Sequence, residues 1–268
     1  MSDTLPASAL ADLEAFAIHL AQVAGAAILP LFRAPHGLED KGGARGFDPV
    51  TAADRGAEAG IRAAIAARHP THGVIGEEYG EDRPDAEFVW VLDPIDGTRA
   101  FICGLPLWTT LIALRHRGRP VVGVIGQSFL GEVFIGSRAG ARLIRNGTER
   151  PLRVRPCNGL SDALIATTDQ NLFSDQDLAA WNAVRRTARL ARFGCDAYAY
   201  ATVALGTMDA VLEAGLKAWD VEAAIPLIEG AGGFVTDWQG RPIGQQGGKM
   251  LIAGDARVRD ETLALLAG

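Results

Sequence analysis

Phe88-Val89-Trp90-Val91-Leu92-Asp93-Pro94-Ile95-Asp96-Gly97-Thr98 sets five apolar residues in a row and then two carboxylates three positions apart. An apolar run of this length reads as a central strand covered on both faces. Asp93 and Asp96 then stand at its carboxyl end, where the sites of α/β folds collect. Pro94 stiffens the turn, and Gly97 lets the backbone approach a ligand closely. A helix starting at Thr98 would turn its free N–H groups into the same space, where they can hold a phosphate. Two carboxylates this close repel unless a cation sits between them, and hard oxygen ligands on a tight turn suit Mg²⁺. Read alone, the same residues equally fit an Asx turn and a helix cap with both carboxylates solvated.

Two other stretches shift that balance. Glu77-Glu78 follows the apolar Gly73-Val74-Ile75-Gly76, and Trp219-Asp220 precedes a helical pattern of Val221, Ala224, Ile225 and Ile228. Taken singly, the first is a solvated loop and Asp220 an N-cap. Three acidic strand ends and helix starts together favour one shared metal site.

Working outward, residues 8–33 show apolar positions at spacings of three and four, an amphipathic helix. Its stretch 15–32 has no formal charge, but His19, Gln22, Gly25 and Pro30 favour a buried helix over a membrane span. Residues 36–48 form a Gly-rich polar loop placed to act as a lid, and 51–68 a second helix with Asp48 and Thr51 at its start. Strands are expected at 73–76, 88–92, 107–115, 120–127, 131–136 and 141–144. Beyond a soft boundary near Arg150 the pattern alternates: strand 164–167, helix 175–189, helix 197–205, strand 210–213, helix 221–230, and strands 232–236 and 250–253. The expectation is therefore an α+β half over 1–150 carrying the metal and phosphate site. An α/β half over 151–268 brings Asp220 and the substrate contacts, and the two form one unit.

The chain has 268 residues, 48% of them apolar and 22% charged, ample for a core. With 26 Lys plus Arg against 32 Asp plus Glu its net charge is −6, and it lacks the basic cluster of a nucleic-acid binder. Three cysteines without a C-x-x-C pair point to reduced thiols in the cytoplasm. None of the five histidines lies beyond His116, and no H-E-x-x-H occurs. No cysteine has the Arg six residues on that a cysteine phosphatase needs, and the D-x-D-x-T/V and G-x-G-x-x-G patterns are missing. Asp and Glu are the chemistry that remains.

In order along the chain, Asp48-Pro49-Val50-Thr51 with Asp54, Gly76-Glu77-Glu78, Asp93-Pro94-Ile95-Asp96-Gly97-Thr98, Trp219-Asp220-Val221-Glu222-Ala223-Ala224 and Glu229-Gly230-Ala231-Gly232-Gly233 resemble the inositol monophosphatase superfamily of Mg²⁺-dependent, lithium-sensitive phosphatases. The resemblance implies a five-layer α-β-α-β-α sandwich, shared with fructose-1,6-bisphosphatase, and a homodimer. It implies two or three Mg²⁺ ions. Glu77, Asp93 and the Ile95 carbonyl would bind the first, Asp93, Asp96 and Asp220 the second, and Glu77 would share a third. Gly97 and Thr98 would hold the phosphate through backbone N–H groups. Thr98, hydrogen-bonded to Asp48, would orient the attacking water, and the catalytic set becomes Glu77, Thr98 and Asp48. Metal-activated attack needs no covalent intermediate, in keeping with the missing Cys and His nucleophiles.

Within the superfamily the chain most resembles the histidinol-phosphatase branch. Asp96-Gly97-Thr98-Arg99-Ala100-Phe101 through Gly104 and Pro106 fits its pattern, as does Gly194-Cys195-Asp196-Ala197-Tyr198-Ala199-Tyr200 apart from Cys195. Asp196 and Glu213 would pair with the ammonium and imidazole of histidinol, and Arg99 would lie beside the phosphate turn. Gly126 departs from the branch, which commonly has Asp there. The implied reaction is L-histidinol phosphate plus water to L-histidinol and phosphate, in histidine biosynthesis. The alternatives are a broad-specificity inositol or sugar monophosphatase, a phosphoadenosine phosphatase, and a transcription-antitermination partner. The expected partner is a small phosphate ester, with no nucleic acid and no membrane.

Overall fold

Side chains of the Phe88–Asp96 strand alternate between two cores. Trp90 and Leu92 pack with Leu20, Ile61 and Ile112, whereas Val89 and Val91 pack with Tyr200, Leu227 and Ile252. The period of two in a strand covered on both faces makes that strand the middle of a layered structure. In the computed structural model, which describes residues 5–34, 39–40 and 49–267, the strands are β1 (Glu39–Asp40), β2 (Pro49–Val50), β3 (Gly73–Gly76), β4 (Gly80–Asp82), β5 (Phe88–Asp96), β6 (Thr109–His116), β7 (Arg119–Gln127), β8 (Glu132–Ser137), β9 (Gly140–Arg145) and β10 (Thr148–Pro151). The last eight form one sheet in the order β10-β9-β8-β7-β6-β5-β3-β4. It is antiparallel except where β3 runs parallel to β5.

A second sheet takes β11 (Leu164–Thr167), β12 (Leu190–Phe193), β13 (Ala210–Leu216), β14 (Phe234–Thr236) and β15 (Gly248–Ala253) in the order β12-β11-β13-β15-β14. Its strands alternate in the same way: Ala166, Val211 and Ile252 face the first sheet's core, and Ile165, Leu212 and Leu251 face away. Helices α1 (Ala7–Ile28) and α2 (Ala52–Arg68) cover the outside of the first sheet. The helix α3 (Thr98–Ile102) follows β5, and α4 (Asp175–Thr187) packs outside the second sheet. Between the sheets lie α5 (Tyr198–Ala204), α6 (Ala218–Val221) and α7 (Ala224–Gly230), and α8 (Ala256–Leu266) joins α4. The layers run α-β-α-β-α, as the resemblance implies.

By length and composition α1 is apolar enough to cross a membrane. Here Leu13, Phe16, Leu20 and Ile28 are spent on the first sheet. Its buried Glu14 accepts hydrogen bonds from Ser137 (2.5 Å) and Arg142 (2.7 Å) on that sheet. The α2 start is a capping box, with Thr51 Oγ1 accepting from the Ala53 N–H and Asp54 accepting from the Thr51 N–H.

The structure departs from the sequence expectations at particular points. The strand expected to end at Leu92 continues to Asp96, and its register against β6 shifts between Asp93 and Asp96. Such an irregularity accommodates Pro94, which cannot donate to the ladder. The single helix expected over 221–230 is split at residues 222–223, four residues before Pro226, which has no N–H to donate to the Glu222 carbonyl, and the Glu222 side chain pairs with Arg115 on β6, a partner 107 residues away. Local periodicity carries no sign of such a contact. Strands β1, β2, β4, β10 and β12 and helix α8 were not expected. β4, β10 and β12 are exposed sheet edges, so their apolar patterning is weak, and β1 with β2 pairs only two residues of each strand. The 36–48 loop lies, apart from Glu39 and Asp40, outside the described residues.

Candidate active site

Asp93 is buried in the irregular end of β5, and Asp96 ends the same strand. The irregular strand segment between them is pinned from both sides. Thr110 on β6 donates to the Pro94 carbonyl (2.8 Å), and the Thr98 hydroxyl donates to the Ile95 carbonyl (3.0 Å). Gly97 caps α3 in the left-handed conformation with φ of 84°. A Cβ there would lie 3.0 Å from the Asp196 carboxyl carbon, so this position needs glycine for both its backbone and its neighbour.

Asp220 reaches this turn from the second half of the chain. It sits in α6, where one oxygen accepts the Lys217 N–H (2.7 Å). It is therefore an inner residue of the helix's first turn and not the N-cap. One carboxylate oxygen from each of Asp93, Asp96 and Asp220 lies within 4.8 Å of the others. Among the described residues, Asp93 Oδ1 is buried with no hydrogen-bond partner. Burial raises the Asp93 and Asp96 pKa values well above the carboxylate range. Glu77, Asp96 and Asp220 push Asp93 further, and Asp196 and Asp220 push Asp96. Asp220 is raised to about 6 by burial. An orphaned buried oxygen amid converging, destabilised carboxylates is what a hard divalent cation would satisfy, and the donor set fits Mg²⁺. Glu77 occupies the turn between β3 and β4, its N–H bonded to the Leu92 carbonyl (3.2 Å) one residue before Asp93.

On the other side of Asp96 lies a second group. Asp196 takes the left-handed conformation (φ 45°), which Asp tolerates better than most residues. The next N–H, of Ala197, donates to Asp96 Oδ2 at 2.6 Å, which joins the two halves at the site. Burial raises Asp196 to about 6 against the pull of Arg99. Arg99 lies 3.6 Å from Asp169, an acidic residue that the sequence reading passed over. Asp169 follows β11 by two residues, so the strand-end rule that singled out Asp93 would have found it too. Glu213, buried on β13, accepts from the Thr168 N–H (2.8 Å) and from the hydroxyls of Thr168 (2.9 Å) and Thr167 (3.2 Å). Burial nevertheless pushes it up to about 8.

Tyr198 and Tyr200 of the same motif serve packing. Tyr198 donates to Glu132 (2.8 Å), and Tyr200 is buried between the sheets. A side chain at Gly126 would meet Ala21 of α1 and not the carboxylates, so the departure there bears on helix packing. Asp48, the expected partner of Thr98, lies outside the described residues; among the described residues the Thr98 hydroxyl donates to the Ile95 carbonyl.

Known proteins resemble this chain over most of its length. The inositol monophosphatase family matches residues 9–267. A bifunctional phosphatase of Arabidopsis thaliana, IMPL2, chloroplastic, is 43% identical over 224 residues. That match covers 83% of this chain but 63% of the plant protein, so the chain spans less than two thirds of that relative's length. A histidinol-phosphatase of Chlorobaculum parvum is 34% identical over 81% of this chain and 83% of its own. The fold superposes on an inositol monophosphatase from Zymomonas mobilis with a TM-score of 0.85 at 40% identity, over 96% of this chain and 98% of that one. Agreement this long leaves both sheets and every described carboxylate of the cluster inside the matched region, and the protein accordingly belongs to the inositol monophosphatase family and is a phosphatase.

Proposed function

We propose that this phosphatase hydrolyses L-histidinol phosphate with Mg²⁺, using Glu77, Asp93, the Ile95 carbonyl, Asp96 and Asp220 as metal ligands. The observation that carries the reading is Asp196, whose carboxylate packs against Gly97 of the phosphate turn. An inositol or sugar phosphate is a neutral polyol beyond its phosphate, and its hydroxyls would give that anion only uncharged donors. Histidinol brings an ammonium group and an imidazole, both donors to a carboxylate. Asp196, Asp169 and Glu213 make this side of the site acidic, and Arg99 offsets the charge beside the phosphate.

In this reading the Gly97 and Thr98 N–H groups at the start of α3 hold the phosphate, and Thr98 with Asp48 orients the attacking water. Bound cations would supply an activated water and neutralise charge on the phosphoryl oxygens. The water oxygen bonds to phosphorus as the ester P–O bond breaks, and a proton ends on the histidinol hydroxyl. The two halves of the chain act as one unit, since Asp96 and Asp220 come from opposite sides of residue 150. We place the enzyme in a reducing compartment such as the cytoplasm, in keeping with its unpaired Cys103, Cys157 and Cys195. We take it to be a homodimer, for which the exposed Leu190 and Phe193 on edge strand β12 offer apolar surface. Light scattering reports the mass directly.

The test is phosphate release with Mg²⁺ from histidinol phosphate, inositol 1-phosphate and phosphoadenosine phosphate in parallel. The reading expects kcat/KM for histidinol phosphate at least ~100-fold above the others, about 2.7 kcal/mol of discrimination. Comparable rates would make the enzyme a generalist and Asp196 a structural residue. Release from none would reopen the substrate and the role in transcription.

A further inference from the structure

Glu58 sits on α2 and is fully buried, yet it belongs to none of the groups assigned to metal, phosphate or substrate. Its carboxylate is aimed at the turn that carries Glu77. One oxygen accepts the Glu78 N–H (2.8 Å) and the other accepts the Tyr79 N–H (3.1 Å). Arg62, one helical turn on, donates to Glu58 (2.8 Å) and also to the carbonyl of Gly80, where the turn ends. The Glu77 N–H is meanwhile bonded to the Leu92 carbonyl. The backbone from 77 to 80 is thus held at every residue, to β5 at its start and to the Glu58–Arg62 pair over the rest. Gly76 completes the fit, because a Cβ there would lie 2.1 Å from a Glu58 oxygen.

A buried carboxylate is retained at a cost unless its oxygens are satisfied, and here they are satisfied by two turn amides and one guanidinium. We propose that Glu58, locked by Arg62, is a positioning residue that sets Glu77 beside Asp93 for metal binding. Without it the turn loses the bonds to two of its N–H groups, and the Glu77 carboxylate is no longer held toward the cluster. Outer partners of this kind tune the affinity of a metal site without touching the ion.

This inference rests on Glu77 being a metal ligand, and the experiment separates the two. Glu58→Gln keeps the shape but puts an NH₂ group against one of the turn N–H groups. In the intact chain, calorimetric Mg²⁺ affinity without substrate is expected to fall about 10-fold. The Mg²⁺ concentration for half-maximal activity rises in step, kcat at saturating Mg²⁺ falls by less, and hydrogen exchange at the Glu78 and Tyr79 amides speeds up. Arg62→Lys, which keeps a cation near Glu58 but loses the fork to Gly80, is expected to show the same shifts to a smaller degree. It also serves as the test if Glu58→Gln does not fold. Folded variants with unchanged Mg²⁺ affinity and unchanged amide protection overturn the proposal. Glu77→Gln tests the underlying reading. If Mg²⁺ binding survives that change, Glu77 is not a ligand, and faster exchange in Glu58→Gln then shows only a turn clasp.

Discussion

Arg115 on β6 and Glu222 in the break between α6 and α7 form a buried two-armed ion pair, with Arg115 Nε 2.6 Å from Glu222 and a second guanidinium nitrogen on the other carboxylate oxygen. Glu222 is two residues beyond Asp220, so this pair ties the first sheet to the segment that delivers Asp220. Removing one partner strands the other charge in the interior, at a cost of about 3–5 kcal/mol. Arg115→Met is expected to lose that much in urea unfolding and to lose activity as well. The double change Arg115→Met with Glu222→Leu is expected to recover most of the stability and less of the activity. Full recovery of activity would show that the pair has no part in placing Asp220.

Asp93→Asn removes the carboxylate shared between both proposed metal positions. Turnover is expected to fall at least ~100-fold. In metal-free buffer the variant should be more stable than the parent, because one desolvated carboxylate amid like charges is gone. Mg²⁺ should reverse the order, since ligand at 100 times its Kd stabilises the parent by about 2.7 kcal/mol. Thermal unfolding of both proteins with EDTA and with Mg²⁺ reads this crossing. Parallel responses of the two proteins to Mg²⁺ would exclude Asp93 as a ligand.

Asp196→Asn keeps a residue that tolerates the left-handed conformation and removes the charge facing the substrate. A charge-assisted hydrogen bond lost there is worth about 1.5–3 kcal/mol, or roughly 10- to 100-fold in kcat/KM for histidinol phosphate. Inositol 1-phosphate should change by less than ~3-fold. An equal loss on both substrates would assign Asp196 to the scaffold, through the neighbouring Ala197–Asp96 bond.

His72 gives the fold an acid limit away from the site. Its Nδ1 accepts the indole N–H of buried Trp90 (3.1 Å), which requires a neutral ring protonated on Nε2. Burial, helped by His69 and Arg83, lowers its pKa to about 4. The unfolded chain binds the proton near pH 6.5 and the native chain only near 4. The stabilisation is therefore complete above 6.5 and is lost as pH falls toward 4, on the order of 3 kcal/mol in all. His72→Gln retains an acceptor for Trp90 and does not titrate. The stability difference between parent and variant should shrink or reverse across that window in chemical denaturation at stepped pH. A constant difference would remove His72 from the acid limit.

Much of the carboxylate centre is legible in the sequence, because its chemistry is written locally. An apolar strand followed by Asp93, Pro94, Asp96 and Gly97 marks by backbone rules where the regular ladder must break, although β5 itself runs on to Asp96, and the acidic residues after β3 and at α6 obey the same rules. Strands such as Phe88–Leu92, apolar on both faces, mark a layered structure, and the number of layers comes from the family resemblance. What stayed hidden depends on groups far apart in the chain. Glu58 reads as one more polar residue on an amphipathic helix until its carboxylate is seen under the Glu78 and Tyr79 amides. Pro226 marks the break in the helix locally, but the partner of Glu222 stays hidden until Arg115, 107 residues away, is seen against its carboxylate. Asp169 and Asp196 become neighbours of Arg99 only when the second sheet docks against the first. By itself the sequence determined which residues carry charge and where the backbone must turn, since both are properties of a few adjacent residues. Only the tertiary structure decided which of those charges meet, because burial and long-range packing set the distances on which their pKa values and their partners depend.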